Sequence, residues 1–275
     1  MSAKKLNIVI AGATGFVGLD LIKFLSNHPK VKIKYLCAQK NIGKKIQYFD
    51  KRITKNLPKI SKLKSVDWSM IDILFTALPN GESQIISKTL VNKKLKIIDL
   101  SADFRLSDSS VYKKFYGREH MAKKLINNSI YALSEFSKKK LKKFKIIACP
   151  GCYPTSIQLP LIPLLKKNLI NNKNIIIDSK SGYSGAGKNL KKKFKHKNIF
   201  SSIHAYDTYK HRHLSELDQE LNKVSNKKIN YVFIPHLIPT FRGMLSSIYL
   251  DLKPGVTVKK VFKELKNFHK NNYFV

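Results

Sequence analysis

Acidic side chains are scarce in these 275 residues: 17 Asp and Glu stand against 53 Lys and Arg, a formal net charge of +36. So basic a balance ordinarily points to nucleic acid or an anionic surface. Here the lysines are spread through the whole chain, often beside Asn and Ile, and the aromatics form no stacking platform of the RNA-binding kind. The charge therefore reads as solvated surface, and no nucleic-acid partner is expected. Three cysteines, an odd number without framework spacing, exclude a disulfide scaffold and fit a reducing cytosol, so a cytoplasmic location is expected. Long apolar runs are missing as well. Residues 157–165 are interrupted by Pro160 and Pro163, which predicts no transmembrane helix and no membrane partner. The apolar run after Lys4 and Lys5 stops at Gly12, too short for a signal peptide.

Arginine is the other scarcity, confined to Arg52, Arg105, Arg118, Arg212 and Arg242. In a chain that otherwise chooses lysine, a retained arginine marks a task needing its planar, forked donors. What remains, 43% hydrophobic residues over this length, suffices for one large or two ordinary domains with real cores.

The apolar run 6–11, LNIVIA, ends in Gly12-Ala13-Thr14-Gly15-Phe16-Val17-Gly18 and is followed by a helix with Leu21, Ile22 and Leu25 on one side. Strand, glycine turn and helix start make a phosphate cradle: the glycines admit a pyrophosphate and the helix N-terminus faces it. The next strand, 31–38, ends in Cys37-Ala38-Gln39-Lys40 with no acid. An NAD site would place one there for the ribose hydroxyls, so the absence, with Lys40 close by, favours NADP(H). Two further buried strands, 71–77 and 96–100, lead into Leu78-Pro79-Asn80-Gly81 and Ser101-Ala102-Asp103-Phe104-Arg105. Arg105 can pair with Asp103 or grip a phosphate or carboxylate. The strand–helix alternation up to 149 predicts a doubly wound α/β sheet.

Residues 145–165, KIIACPGCYPTSIQLPLIPLL, place Cys152 where a strand ends and a helix begins. Unpaired N–H groups at a helix start favour a thiolate and can hold the oxyanion formed when it attacks a carbonyl. A small buried apolar cysteine is the plain alternative. Cys149-Pro150-Gly151-Cys152 also has the CxxC spacing of a redox dithiol or of half a zinc site, for which His211 and His213 could supply ligands. A strand at 174–182 enters the small-residue loop Gly182-Tyr183-Ser184-Gly185-Ala186-Gly187-Lys188, which can approach a cofactor. His211, Arg212 and His213 stand directly before an amphipathic helix, where a histidine can relay protons for a cysteine. Two strand-like runs flank Thr240-Phe241-Arg242-Gly243, a helix over 257–270 follows, and the second part is expected to be α+β with a mostly antiparallel sheet.

Taken together, GATGFVG (12–18), ALPNG (77–81), DLSADFR (99–105), CPGCYPTS (149–156), DSKSGYSGAGK (178–188), HRH (211–213) and PHLIPTFRGM (235–244) resemble the N-acetyl-gamma-glutamyl-phosphate reductase family of arginine biosynthesis. The glycine loop and cysteine turn are shared with aspartate-semialdehyde dehydrogenases; SADFR with HRH points to the reductase. The resemblance implies an NADP-binding Rossmann domain, 1–150, and a glyceraldehyde-phosphate-dehydrogenase-like catalytic and oligomerisation domain, 151–275. It implies NADPH-dependent reduction of an acyl phosphate through a thioester on Cys152, with a histidine base in the HRH segment. Either histidine can face Cys152 from the start of its helix, and His211 is expected as the base ahead of His213; a sheet-bearing second domain leads us to expect a dimer or tetramer. Gly12, Thr14, Gly15, Phe16, Val17, Gly18, Lys40, Pro79, Ser184 and Gly185 are then expected at the cofactor, and no metal is expected. Arg105 is expected at the leaving phosphate, with Arg212 or Arg242 at a substrate carboxylate. Three departures stand out. Cys149 occupies a position usually held by Asn, Gln39 one where many members carry Arg, and the chain stops before the family's usual C-terminal tail. The alternatives are an aspartate-semialdehyde dehydrogenase-type enzyme, and a truncated non-catalytic protein binding nucleotide or nucleic acid.

Overall fold

The computed structural model describes residues 4–188 and 200–275. In chain order its main elements are β1 (Leu6–Ala11), α1 (Phe16–Ser26), β2 (Val31–Cys37), β3 (Ile60–Ser61), β4 (Ile73–Thr76), α2 (Glu82–Leu90), β5 (Lys96–Asp99), α3 (Ser109–Tyr116), β6 (Ser129–Tyr131), α4 (Ser134–Ser137), β7 (Ile146–Ala148), α5 (Cys152–Lys166), β8 (Ile175–Gly182), β9 (His204–Ala205), α6 (Leu214–Ser225), β10 (Tyr231–Ile238), β11 (Met244–Tyr249) and α7 (Val258–His269). They form two compact units. The first comprises Met1–Ser109, Glu119–Ala132 and Ser137–Cys149, the second Ser110–Arg118, Leu133–Phe136 and Pro150–Val275.

The first unit holds a seven-stranded sheet of order β3-β2-β1-β4-β5-β7-β6. Every pairing in it is parallel. Ile8, Val9 and Ile10 of β1 have no exposed surface, as the continuous apolar run requires for a strand covered on both faces. Val9 and Ala11 pack with Leu74 and Ile97 on one side; Ile8 and Ile10 pack with Ile22 and Leu36 on the other. This is the doubly wound architecture that the strand–helix alternation predicts. The sheet grows outward from β1 in both directions, so the carboxyl end of β1 is a topological switch point, where such sheets bind ligands.

The second unit carries a four-stranded sheet of order β11-β8-β10-β9. Two of its three pairings are antiparallel, as expected, and the exception lies at the centre. The central and longest pairing, β8 with β10, is parallel over Ile175–Gly182 and Tyr231–Ile238. The long stretch between these strands contains α6, the kind of crossover a parallel pair needs. Its consequence is that β10 and β11, although consecutive, do not form a hairpin and lie on opposite sides of β8. The buried face of this sheet, Ile175, Ile177 and Phe233, packs against Ile157, Leu161 and Leu165 of α5 and Leu217 and Leu221 of α6.

Helix α5 runs through Pro160 and Pro163. A proline cannot donate to the carbonyl four residues back, so Pro163 leaves that of Leu159 without its helical partner. His269, in the last turn of α7, supplies a replacement: its Nε2 lies 3.1 Å from the Leu159 oxygen, while its Nδ1 is 3.0 Å from the Asn272 amide. Among the described residues no helix is long and apolar enough to cross a membrane.

Candidate active site

Cys152 is the first residue of α5 and is exposed. The helix is preceded by Gly151 in extended conformation, with no side-chain cap and no acid in the first turn. In its first turn the Cys152 and Tyr153 N–H groups lie at the helix start next to the exposed cysteine, whereas Pro154 has none and the Thr155 N–H is used on the Gly151 carbonyl at 3.0 Å. Gly151 is fixed from α6: its N–H donates to Glu216 Oε2 at 2.8 Å. A Cβ on Gly151 would collide with the imidazole of His213, so the ring of His213 packs directly on the residue before Cys152. His213 Nε2 is 3.8 Å from Glu216 Oε1, and the Glu216 side chain is fully buried. One carboxylate thus binds the cysteine turn directly and lies within ion-pair range of the imidazole beside it.

His211 sits differently. Its Nδ1 accepts the His213 backbone N–H at 3.1 Å, and its buried ring meets Tyr153, Tyr206 and Phe233 edge-on at 5.4, 5.6 and 5.6 Å. Tyr206 donates to the Tyr153 hydroxyl at 3.2 Å, and Tyr153 donates to the His236 carbonyl at 3.1 Å. Burial pushes the Tyr153 phenol up to about 12 and raises Tyr206 further, so both stay neutral and serve as hydrogen-bonded wall. Of the two histidines, the structure brings His213 to the cysteine turn and places His211 behind it.

The three arginines fare unequally. Arg212 is exposed, its guanidinium 5.3 Å over the ring of Tyr116, which itself stacks on Tyr112 at 4.6 Å. Arg242 is exposed between β10 and β11, 5.1 Å over Phe241. Its loop is zipped to the one holding Ser184 and Gly185: Gly182, Tyr183 and Ser184 donate N–H bonds to the carbonyls of Gly243, Thr240 and Phe241, each at 2.9 Å. A Cβ on Gly182 would press on that second loop, which accounts for glycine there. The small-residue loop is described only as far as Lys188. Arg105 belongs to the first unit and is buried; its Nε donates to the Cys149 carbonyl at 2.8 Å, gripping the strand end ahead of the cysteine turn. Burial and the neighbouring Asp99 push the Cys149 thiol up to about 11, a protonated thiol at neutral pH rather than an activated one.

In the first unit, Gly12 has φ +87° at the end of β1, and a Cβ there would run into the Ala77 carbonyl; one on Gly18 would run into that of Gly12. The backbone is therefore bare where a pyrophosphate would approach, and α1 starts after Gly15 without a side-chain cap or an acid in its first turn. Thr14, Gly15, Phe16 and Val17 form the rim of this turn, which fits a dinucleotide. The Pro79 loop is locked by a residue whose part the sequence did not reveal: the buried Asp103 carboxylate accepts the N–H groups of Gly81, Ser83 and Gln84. Glu216 was missed likewise, although its three-residue spacing from His213 at a helix start was a usable signal. Lys40 is exposed after β2, and beside it the Gln39 amide donates to both carboxylate oxygens of Glu82 at 3.3 Å.

A doubly wound nucleotide-binding sheet followed by a cysteine-bearing α+β unit defines a semialdehyde dehydrogenase plan. The model for the semialdehyde dehydrogenase NAD binding domain matches residues 7–144, and that for the semialdehyde dehydrogenase dimerisation domain matches 152–275. Among solved structures, aspartate semialdehyde dehydrogenase II from Vibrio cholerae superposes with a TM-score of 0.71 at 15% identity, covering 96% of this chain and 79% of that one. The Candida albicans aspartate semialdehyde dehydrogenase with NADP gives 0.63 at 19% identity over 96% of this chain and 76% of that one. At such identities the likeness is one of fold. Sequence relatives are nearer. The N-acetyl-gamma-glutamyl-phosphate reductase of Ehrlichia ruminantium is 43% identical over 274 residues, covering 98% of this chain and 79% of the relative. The probable chloroplastic enzyme of Oryza sativa is 40% identical, covering all of this chain and 66% of the relative. The chain belongs to the semialdehyde dehydrogenase family and, within it, to the N-acetyl-gamma-glutamyl-phosphate reductases.

Proposed function

We propose that this chain reduces N-acetyl-glutamyl 5-phosphate to N-acetyl-glutamate 5-semialdehyde and phosphate with NADPH, a step of arginine biosynthesis, through a thioester on Cys152. The observation that carries the reading is the exposed Cys152 at the uncapped start of α5, with the His213 ring packed on Gly151 and the Glu216 carboxylate bonded to the Gly151 N–H and 3.8 Å from the imidazole.

His213, rather than His211, is assigned the proton-transfer role. It takes the Cys152 proton, and the buried Glu216 carboxylate stabilises the imidazolium. The thiolate attacks the acyl carbonyl, a C–S bond forms, and the C–O bond to phosphate breaks with its electron pair leaving on phosphate. The α5 N–H groups hold the oxyanion of each tetrahedral state. The exchange of phosphate for sulfur tethers the acyl group at the site as a thioester, whose carbonyl accepts hydride. When bound, the nicotinamide supplies that hydride. Collapse of the second tetrahedral oxyanion breaks the C–S bond, frees the aldehyde and returns the thiolate beside His213. His211 and Tyr153 keep the His213 backbone and ring in place. Arg212 or Arg242 is assigned to the substrate carboxylate and Arg105 to the phosphate end.

Residues 1–150 are read as the cofactor domain, with Gly12, Thr14, Gly15, Phe16, Val17 and Gly18 at the pyrophosphate, Lys40 at the 2′-phosphate and Pro79 at the nicotinamide half; Ser184 and Gly185 come from the catalytic part, 151–275. A homo-oligomer is part of this reading. In register on the outward face of the second sheet, Tyr249, Ile176 and Val232 are 60%, 45% and 39% exposed, an apolar row suited to a second copy. A cytoplasmic location accords with the free cysteines. The test is the reverse reaction, NADP⁺ reduction with N-acetylglutamate semialdehyde. Turnover that requires inorganic phosphate supports the reading; turnover only with aspartate semialdehyde replaces the substrate, and none with either removes the activity.

A further inference from the structure

The end of β2 carries a carboxylate that its own sequence lacks. The Cys37 carbonyl, last in β2, accepts the N–H groups of Gly12 and Ala13 at 2.9 and 3.0 Å, so this strand end abuts the bare glycine turn. Two residues on, the Gln39 side-chain amide donates to both oxygens of Glu82 at 3.3 Å. Glu82 opens α2 directly after Gly81, whose φ is +93°. Its backbone has little freedom: the Glu82 N–H donates to the Pro79 carbonyl at 3.2 Å, and the Asp103 carboxylate holds the neighbouring N–H groups of Gly81, at 2.7 Å, and Ser83, at 3.0 Å. An acid from α2 is thus carried to the place where a dinucleotide site ordinarily keeps one at the end of its second strand.

Resting on the cofactor reading above, we propose that Glu82 is a nucleotide-selecting residue, steadied by Gln39, whose carboxylate accepts from the adenosine ribose hydroxyls and opposes a 2′-phosphate. Lys40, exposed on the same strand end, acts in the other direction. The preference between NADPH and NADH is then a balance of two side chains and is narrower than Lys40 alone would set.

The test is calorimetric binding of NADP⁺ and NAD⁺, without turnover, to the parent chain, Glu82→Gln and Gln39→Glu. Glu82→Gln keeps an acceptor for Gln39 and removes the charge. It should tighten NADP⁺ about fivefold at low salt, the effect of one like charge a few ångströms away in water, and leave NAD⁺ unchanged or weaker. Gln39→Glu adds a charge at the same point and should move the ratio the opposite way. Both effects should shrink at high salt. A ratio of NADP⁺ to NAD⁺ affinity that neither variant moves, or that both move in the same direction, overturns the assignment of Glu82 while leaving the cofactor reading intact. Failure of the parent chain to bind either nucleotide overturns both.

Discussion

At the scale of single residues, the account turns on what stands beside Cys152. His213 packs on Gly151 and faces Glu216, whereas His211 uses its Nδ1 to accept the His213 backbone N–H. His213→Asn should lower kcat by about a hundredfold and remove the neutral limb of its pH profile. His211→Asn should lower activity less and leave that limb in place, because it acts through the position of His213. Retention of the limb in His213→Asn, measured in the same buffers, would return the proton to His211. His120 carries a second residue-scale expectation. Its Nδ1 accepts the Ala122 N–H at 3.1 Å, so the proton sits on Nε2, 2.7 Å from the Asp103 carbonyl. Burial holds this histidine below its ordinary 6.5. Protonating Nδ1 would break the Ala122 bond, so the neutral ring's contribution to stability is complete above pH 6.5 and is lost as pH falls through the depressed value. Urea midpoints should therefore decline on acidification below 6.5, less steeply in His120→Gln; identical slopes would show that His120 does not drive the decline.

Elements were legible in proportion to how local their cause is. The cradle after β1 and the helix start at Cys152 follow from glycine and proline placed between apolar runs, and both were readable from the chain. The parallel β8–β10 pairing was not, because alternation marks a strand without naming its neighbour. Asp103 read as a possible partner for Arg105 and Glu216 as an ordinary helix acid, whereas the first accepts the N–H groups of Gly81, Ser83 and Gln84 and the second that of Gly151; their burial is decided by what α2 and the cysteine turn need from them. Arginine scarcity drew attention to Arg105, and the grip of its Nε on the Cys149 carbonyl is a contact across 44 residues that no local pattern announces. The α5–α7 contact tests such reasoning at element scale. His269→Ala should cost about 1 kcal/mol by orphaning the Leu159 carbonyl. Pro163→Ala restores a helical donor to that carbonyl, so in its background the loss should be smaller by about 0.5 kcal/mol or more. Equal losses in both backgrounds, from denaturant unfolding, would separate His269 from Pro163.

For the whole molecule, a net charge of +36 keeps copies apart unless a specific face overcomes it, which makes the apolar row Tyr249, Ile176 and Val232 informative. Ile176→Lys, in the middle of that row, should yield a folded monomer in sedimentation velocity where the parent sediments as a dimer or larger. An unchanged sedimentation coefficient would move the contact elsewhere. The central claim, that one cysteine carries the acyl group between phosphate and hydride, is tested most directly by mass spectrometry of the chain mixed with N-acetyl-glutamyl phosphate in the absence of nucleotide. The account predicts an N-acetylglutamyl adduct on the peptide containing Cys152, absent in Cys152→Ser and discharged on adding NADPH. An adduct on Cys149 instead, or turnover persisting in Cys152→Ser, would contradict it.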